Sequence, residues 1–408
     1  MDEYTAEAVQ LLREMIAIPS PSFQEDAVCS HICQWMEDRD IDHERIGNNI
    51  IAEHICDPSK PTLMLCAHID TVEPCEGYTF NPYKPENCPA DMVQGLGSND
   101  DGASVVSMIA AYRYITDGSF GGDAIQNRAT PLAAGVVSDW QTALWAFAAS
   151  SRDEVVGGVV LNSISTKTPI NIILVLTCEE ERSGKGGMTG LWGSRICARK
   201  DAKEGCTPVD YAIVGEPTGM KAAIAERGLL VIDAVAEGVS GHAARNEGVN
   251  ALYIAMEDIA KLRGHEFVKA SPRMGKVNLN VTQINAGSAH NVIPDRCSFV
   301  IDIRPTERYT NQEILDELQA ICRSKLTPRN LMNQSSATFE DSPLQKAAAE
   351  LGIETFSSPT TSDWMRISCD AIKMGPGESA RSHKKDEYVT VKEISDGIKT
   401  YIEFIERL

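Results

Sequence analysis

Apolar positions fall into two textures along this chain. Short, nearly continuous runs occupy 49–56, 62–67, 170–177 and 211–214, the look of strands covered on both faces. Between and around them lie stretches with helical spacing, at 5–18, 24–39 and about 103–115. That order predicts an α/β fold, a mixed and mostly parallel sheet flanked by helices. From Gly228 the order becomes β-α-β-β-α: strands over 229–236, 277–284 and 298–304, helices over 248–263 and 311–325. This suits a smaller α+β unit with an antiparallel sheet. From about 327 the βα texture returns and closes in a helix over 391–407. The expectation is one domain made of 1–227 plus 327–408, with 228–326 inserted into it. Such insertion is tolerated where the two ends lie close together.

One segment fits neither texture. Residues 117–169 start Gly-rich, hold an amphipathic stretch around Trp140, Leu144 and Phe147, and end in a short apolar run. They are far longer than an ordinary helix-to-strand connection. Right-handed βαβ connectivity places that junction at the amino edge of the sheet, opposite the strand ends where ligands bind. A surface excursion without ligands is expected.

Composition narrows the partners. The net charge is −20 and no Lys/Arg cluster stands out, which argues against nucleic acid and anionic membrane. No apolar run approaches the ~20 residues of a spanning helix. The opening MDEYTAEAV lacks the basic-then-apolar pattern of a signal peptide. The twelve cysteines form no CxxC pair, as expected of free thiols in a reducing cytoplasm.

Chemistry concentrates where strands end. Thr62–Asp70 is a buried-strand pattern running into His68 and Asp70, two positions apart and so on one side. Asp100 with Asp101, then Glu179, Glu180 and Glu181, then Glu216, follow later strands or loops. His383 comes after Gly375-Pro376-Gly377. Imidazoles and carboxylates suit zinc and related divalent ions. A pair of ions needs one bridging carboxylate with terminal ligands on either side.

The pieces AHIDTV, GLGSNDDGAS, LTCEEERSG, VGEPTG, GHAAR, HNVIPD and GPGESARSHKKDEYV, in this order, cover nearly the whole chain apart from 117–169. They resemble the metallopeptidase family of acetylornithine deacetylase, succinyl-diaminopimelate desuccinylase, aminoacylase and the glutamate carboxypeptidases, the acetylornithine deacetylase branch above all. The resemblance implies a zinc-exopeptidase-like catalytic domain, a lid that dimerises, and two divalent ions, zinc by expectation with cobalt or manganese as alternatives. It implies that His68, Asp100 and Glu216 hold the first ion. Asp100 would bridge to a second held by Glu180 and His383, with Glu180 and Glu216 open to exchange. Asp70 would orient His68, and Glu179 would be the general base. His242 would reach a neighbouring subunit's site to stabilise the oxyanion. Asn291 and Arg304 would grip a substrate carboxylate, with Thr361 and Gly377 on substrate-contacting loops. Asp101 and Glu181 are expected as solvent-side neighbours.

The activity so implied is removal of an N-acetyl or N-succinyl group from an amino acid, N-acetylornithine or N-acetylcitrulline in arginine biosynthesis, by a homodimer. A dipeptidase or carboxypeptidase is the alternative, and a non-catalytic zinc-binding assembly protein the remote one. Two positions depart from the family pattern. Leu96 stands where an Arg is usual, and Asp101-Gly102-Ala103 where a Lys is usual.

Overall fold

The computed structural model describes residues 2–118, 170–245 and 247–408. The expected excursion at 117–169 therefore lies, but for its first two residues, outside the described residues.

The larger sheet is mixed. Four strands run parallel at its centre, in the order Asn171–Thr177, Thr62–His68, Tyr211–Val214 and Asp370–Lys373. Asn49–His54 and Glu44–Ile46 extend it antiparallel on one side. Ala222–Glu226 joins on the other side and is flanked by Ser336–Ala337 and Thr355–Ser358. Along Thr62–His68, Leu63, Leu65 and Ala67 face one core and Met64 and Cys66 the other. That two-sided burial is why the run carries no polar alternation.

On the first face lie the helices Asp2–Ile16, Gly102–Thr116 and Val391–Ile405, packed on one another. Gly102–Thr116 is buried on almost every side. Its entry is so tight that a Cβ on Gly102 would stand 2.4 Å from the Gly97 carbonyl oxygen. Val391–Ile405 starts from a reciprocal cap, Thr390 to the Glu393 amide and Glu393 back to Thr390. Register then fixes the chemistry: His68 pairs with Thr177 and Cys66 with Val214. The chain segments after those strands, with Glu179–Glu181 and Glu216, thus leave from one edge.

The second sheet is wholly antiparallel, ordered Asn278–Ala286, Arg296–Arg304, Leu230–Glu237 and Lys325–Pro328. Leu230, Ile232, Ala234 and Ala236 face a core shared with the helices Ala251–Gly264 and Asn311–Ile321, and the residues between them are less buried. This one-sided alternation is the mark of an antiparallel sheet with a single covered face.

Two elements differ from expectation. The helix expected over 311–325 ends at Ile321, and the chain turns into the edge strand Lys325–Pro328. The buried Asp258 captures it there, accepting from the Arg323 and Ser324 amides and the Ser324 hydroxyl. Pairing therefore runs past residue 326, and Pro328 is tolerated because the strand is at the edge. The Ala-rich strand Ala222–Glu226 was not expected at all, since alanine is a poor strand former.

Candidate functional site

His68 ends its strand almost fully buried. Its Nδ1 lies 3.0 Å from the Asp70 carbonyl oxygen and 3.4 Å from the Asp70 carboxylate. Its Nε2 lies 3.3 Å from Asp100 Oδ1. Asp100 Oδ2 lies 3.7 Å from His383 Nε2, so this carboxylate stands between the two histidines. Burial alone would push the Asp100 carboxyl up; the His68 imidazole outweighs it and holds the carboxyl below its ordinary value. Burial likewise opposes charge on His68, yet the Asp100 and Asp70 carboxylates keep its pKa well above the usual imidazole value. The Asp100 loop is itself held from behind. The buried Glu387 accepts the backbone N–H groups of Gly97, Asn99 and Asp100.

The three glutamates divide at one backbone bend. Glu179 is left-handed, with φ 60°. Its amide donates to the buried Glu25 carboxylate at 3.1 Å. Its own Oε2 accepts from the Gly186 amide at 2.7 Å. It is absent from the groups of converging ligand atoms. The next two residues turn inward, because the Asp70 carboxylate accepts the Glu180 amide at 3.0 Å and the Glu181 amide at 3.1 Å. Ser22 donates to the same carboxylate at 2.7 Å. Glu181 then meets His383 Nε2 at 3.0 Å, and that contact raises the His383 pKa to about 9.

Glu179, expected as the general base, has its carboxylate on the Gly186 amide of the 184–186 loop. Two expectations at this turn need correction. Glu181, expected toward solvent, has a side chain only 8% exposed and sits between His383 and Asp100. Asp101, also expected toward solvent, is 1% exposed because it leads into the buried helix Gly102–Thr116. Its Oδ2 accepts the His68 amide at 3.4 Å, and burial drives its carboxyl up to about 8.

Two sets of ligand atoms lie within 4.8 Å of one another: His68, Glu180 and Glu216, and His68, Asp100 and Glu181. Burial and the surrounding carboxylates push the Glu180 and Glu216 carboxyls well above their ordinary values. So much buried acid repels itself without compensating positive charge. One imidazole with carboxylates on each side fits the donor preference of divalent ions. A cavity of about 230 Å³ opens over these groups, and Thr360, Thr361, Ser379 and Ser382 complete its wall.

The other expected contacts fare differently. Thr361 lines the cavity. Gly377 does not; it is buried at φ 83°, where a Cβ would stand 2.4 Å from Asn99 Oδ1, so it serves close packing. His242 and Asn291 are exposed together beside the short ladder of Gly241–His242 with Val292–Ile293, and neither lines the cavity. Arg304 is also outside it, bound to Asp302 at 2.9 Å. Several buried supports escaped the sequence reading: Glu25, Asp363, Lys373 and Glu387. Asp363 accepts from Thr177 Oγ1 at 2.7 Å, and burial raises its carboxyl to about 6. Asp363 stands among hydroxyl residues in TTSDWM and Glu387 among charges in KKDEYV, so neither stretch carries a sequence signal of burial.

Comparison with known proteins gives a consistent picture. Residues 224–330 match the M20 peptidase dimerisation domain. An acetylornithine deacetylase of Myxococcus xanthus is 28% identical over 254 residues, 57% of this chain and 63% of that protein. A succinyl-diaminopimelate desuccinylase of Phenylobacterium zucineum is 24% identical over 292 residues, 66% of this chain and 73% of that one. The match thus spans less than two thirds of the Myxococcus relative, and 60% of the Aliivibrio fischeri acetylornithine deacetylase. Among solved structures, the aminopeptidase PepT of Bacillus cereus superposes with TM-score 0.68 at 16% identity, over 99% of this chain and 98% of that one. A dinuclear metal-binding M20 peptidase of Bacillus subtilis gives TM-score 0.65 at 14% identity, over 99% and 98%. These likenesses are to the whole fold.

Proposed function

We propose that this chain, whose fold is that of M20 peptidases and whose residues 224–330 match their dimerisation domain, is a metal-dependent hydrolase of linear amides. Its substrate is an N-acyl amino acid, N-acetylornithine or N-acetylcitrulline in arginine biosynthesis, with N-succinyl forms in the same class. The observation that carries this reading is the convergence of His68, Asp100, Glu180, Glu181 and Glu216 within ligand range.

His68 and Glu216 would hold one divalent ion, and Glu181 and His383 the other, with Asp100 shared. Zinc is the first expectation, and cobalt or manganese suit the same donors. Such ions supply Lewis acidity toward an amide carbonyl and make a nearby water more acidic. Glu180 is then the general base in place of Glu179. Its carboxylate takes the proton of the attacking water and returns it to the leaving amine. Asp70 aims His68 and anchors the Glu180–Glu181 turn. The 228–326 unit serves as lid and dimer contact, with His242 reaching the neighbouring subunit's site and Asn291 and Arg304 gripping the substrate carboxylate. The match of 224–330 to a peptidase dimerisation domain supports the dimer.

The test is hydrolysis by protein stripped of metal and reloaded with zinc or cobalt. The panel is N-acetylornithine, N-acetylcitrulline, their N-succinyl forms and a set of dipeptides. Turnover of the acylated amino acids supports the proposal. Turnover of dipeptides alone makes the chain a peptidase. Metal retention without any hydrolysis would favour the non-catalytic zinc-binding reading.

A further inference from the structure

Lys373 and Glu226 form an ion pair of 3.0 Å with side chains 2% and 0% exposed. They end neighbouring strands, where Lys373 pairs with Ala223. No step of the proposed reaction uses them. A buried pair recovers its desolvation cost only when its remaining hydrogen-bonding capacity is filled. Here it is filled by particular segments. Lys373 Nζ donates to the Thr360 carbonyl at 3.0 Å and approaches Thr360 Oγ1 at 3.4 Å. Glu226 accepts from Ser362 Oγ at 2.7 Å and from Ser336 Oγ at 3.2 Å.

The places of these partners matter. Thr360 and Thr361 form one wall of the acid cavity. Thr360 and Lys373 also line a second cavity of about 430 Å³, which shares Glu216, Thr360 and Ser379 with the first. Glu226 is the last strand residue before the chain crosses into the antiparallel sheet. Ser336, paired with it, is the first strand residue after the return. One charge pair therefore grips the cavity wall and both crossings. An apolar pair could fill the volume, but it could not hold the Thr360 carbonyl and the Ser362 hydroxyl in fixed directions.

We infer that Lys373 and Glu226 are positioning residues that fix the Thr360–Ser362 wall of the acid cavity and tie it to the crossings into the 230–328 unit. The width available to substrate is then set jointly with the seating of that unit. Only the kinetic consequence rests on the hydrolase reading; the mechanical one does not.

Two variants of the zinc-loaded full chain test this. Ser362→Ala cuts the wall from Glu226 and leaves the ion pair whole. The double variant Lys373→Met/Glu226→Leu removes both charges together, so neither is stranded. Amide hydrogen exchange is read at 359–363 and 227–229, and KM and kcat on whichever panel amide the native protein hydrolyses. Exchange at 359–363 should rise in both variants, and at 227–229 also in the double variant. KM should rise about tenfold, the scale of one charge-assisted hydrogen bond, with kcat unchanged. Native exchange and native KM in the double variant would overturn the inference. So would a uniform rise in exchange over the whole fold with KM unmoved, which marks a stability role alone. If the double variant does not fold, Ser362→Ala with native exchange at 359–363 overturns it. If the native protein hydrolyses nothing in the panel, the hydrolase reading fails and the exchange measurement still judges the pair.

Discussion

The imidazole of His383 and the carboxylate of Glu181 meet at 3.0 Å, although 202 positions separate them in sequence. This contact decides how a run of three glutamates is shared out. The left-handed bend at Glu179 sends that side chain one way and the next two the other.

Glu180→Gln should therefore lower turnover about 10²–10⁴-fold with metal content unchanged, the weight of a general base. Glu181→Ala should release one equivalent of metal. Glu179→Gln should leave turnover near native. Initial rates and elemental metal analysis of the three purified variants decide it. A dead Glu179→Gln beside an active Glu180→Gln would return the base to Glu179.

Asp70→Ala should cost more than the aim of one imidazole. Its carboxylate also holds the Glu180 and Glu181 amides. Metal affinity should fall about 10–100-fold, as for other supports of ligating histidines, and turnover should fall with it. Titration against a chelator of known affinity measures the first. Native affinity in the variant would show that the turn is held by Glu25 and the loop alone.

The sheet and the edge that carries the candidate ligands were legible because each central strand is buried on both faces and so reads as an unbroken apolar run. His68, Asp100, Glu216 and His383 each follow such a run or a glycine-rich loop. The glutamate turn was not legible. Strand alternation stops at Cys178, and three identical residues give no clue to which one takes the left-handed conformation. Asp101 was misjudged for a related reason. An acid next to a ligand looks solvated, whereas here it opens a helix with almost no polar face. Ala222–Glu226 escaped because its pairing depends on neighbours distant in sequence rather than on its own residues.

Without bound ions the protein should lose stability as pH rises. Burial lifts Asp363 from its ordinary 3.8 to about 6, Glu387 from 4.5 to about 7 and Asp101 from 3.8 to about 8. A carboxyl with a higher pKa folded than unfolded favours folding while protonated. That contribution is complete below its ordinary value and disappears as pH passes the folded value. Asp70 and Asp100 are shifted down, and their contribution is present above their ordinary range. Glu180 and Glu216, also raised, and His68 and His383, whose folded values lie above the ordinary imidazole value, act in the same direction, so the raised groups set the trend from pH 3.8 up to about 9. Melting temperature in chelator should fall across that window, and the gain on adding zinc should widen. A flat difference between the two curves would contradict this.

Among the described residues the strand Asn278–Ala286 pairs only with Arg296–Arg304, and Ile284 on it is 52% exposed. Ile284→Lys should shift a dimer toward monomer in sedimentation equilibrium. Activity should fall in proportion to the monomer fraction, because neither His242 nor Asn291 lines the acid cavity of its own chain. Full activity in a monomeric variant would remove both from the site.

The groups gathered around Asp100 come from residues 68, 180, 181, 216 and 383, which has a consequence for how the protein matures. No fragment that stops short of residue 383 can present both histidines. A chain still emerging from the ribosome would offer at most part of the ligand set. On the proposed reading, metal capture would then belong at the close of folding, not its beginning. It would work as a seal on a finished scaffold, and a chain starved of metal would assemble its sheets and stay unsealed.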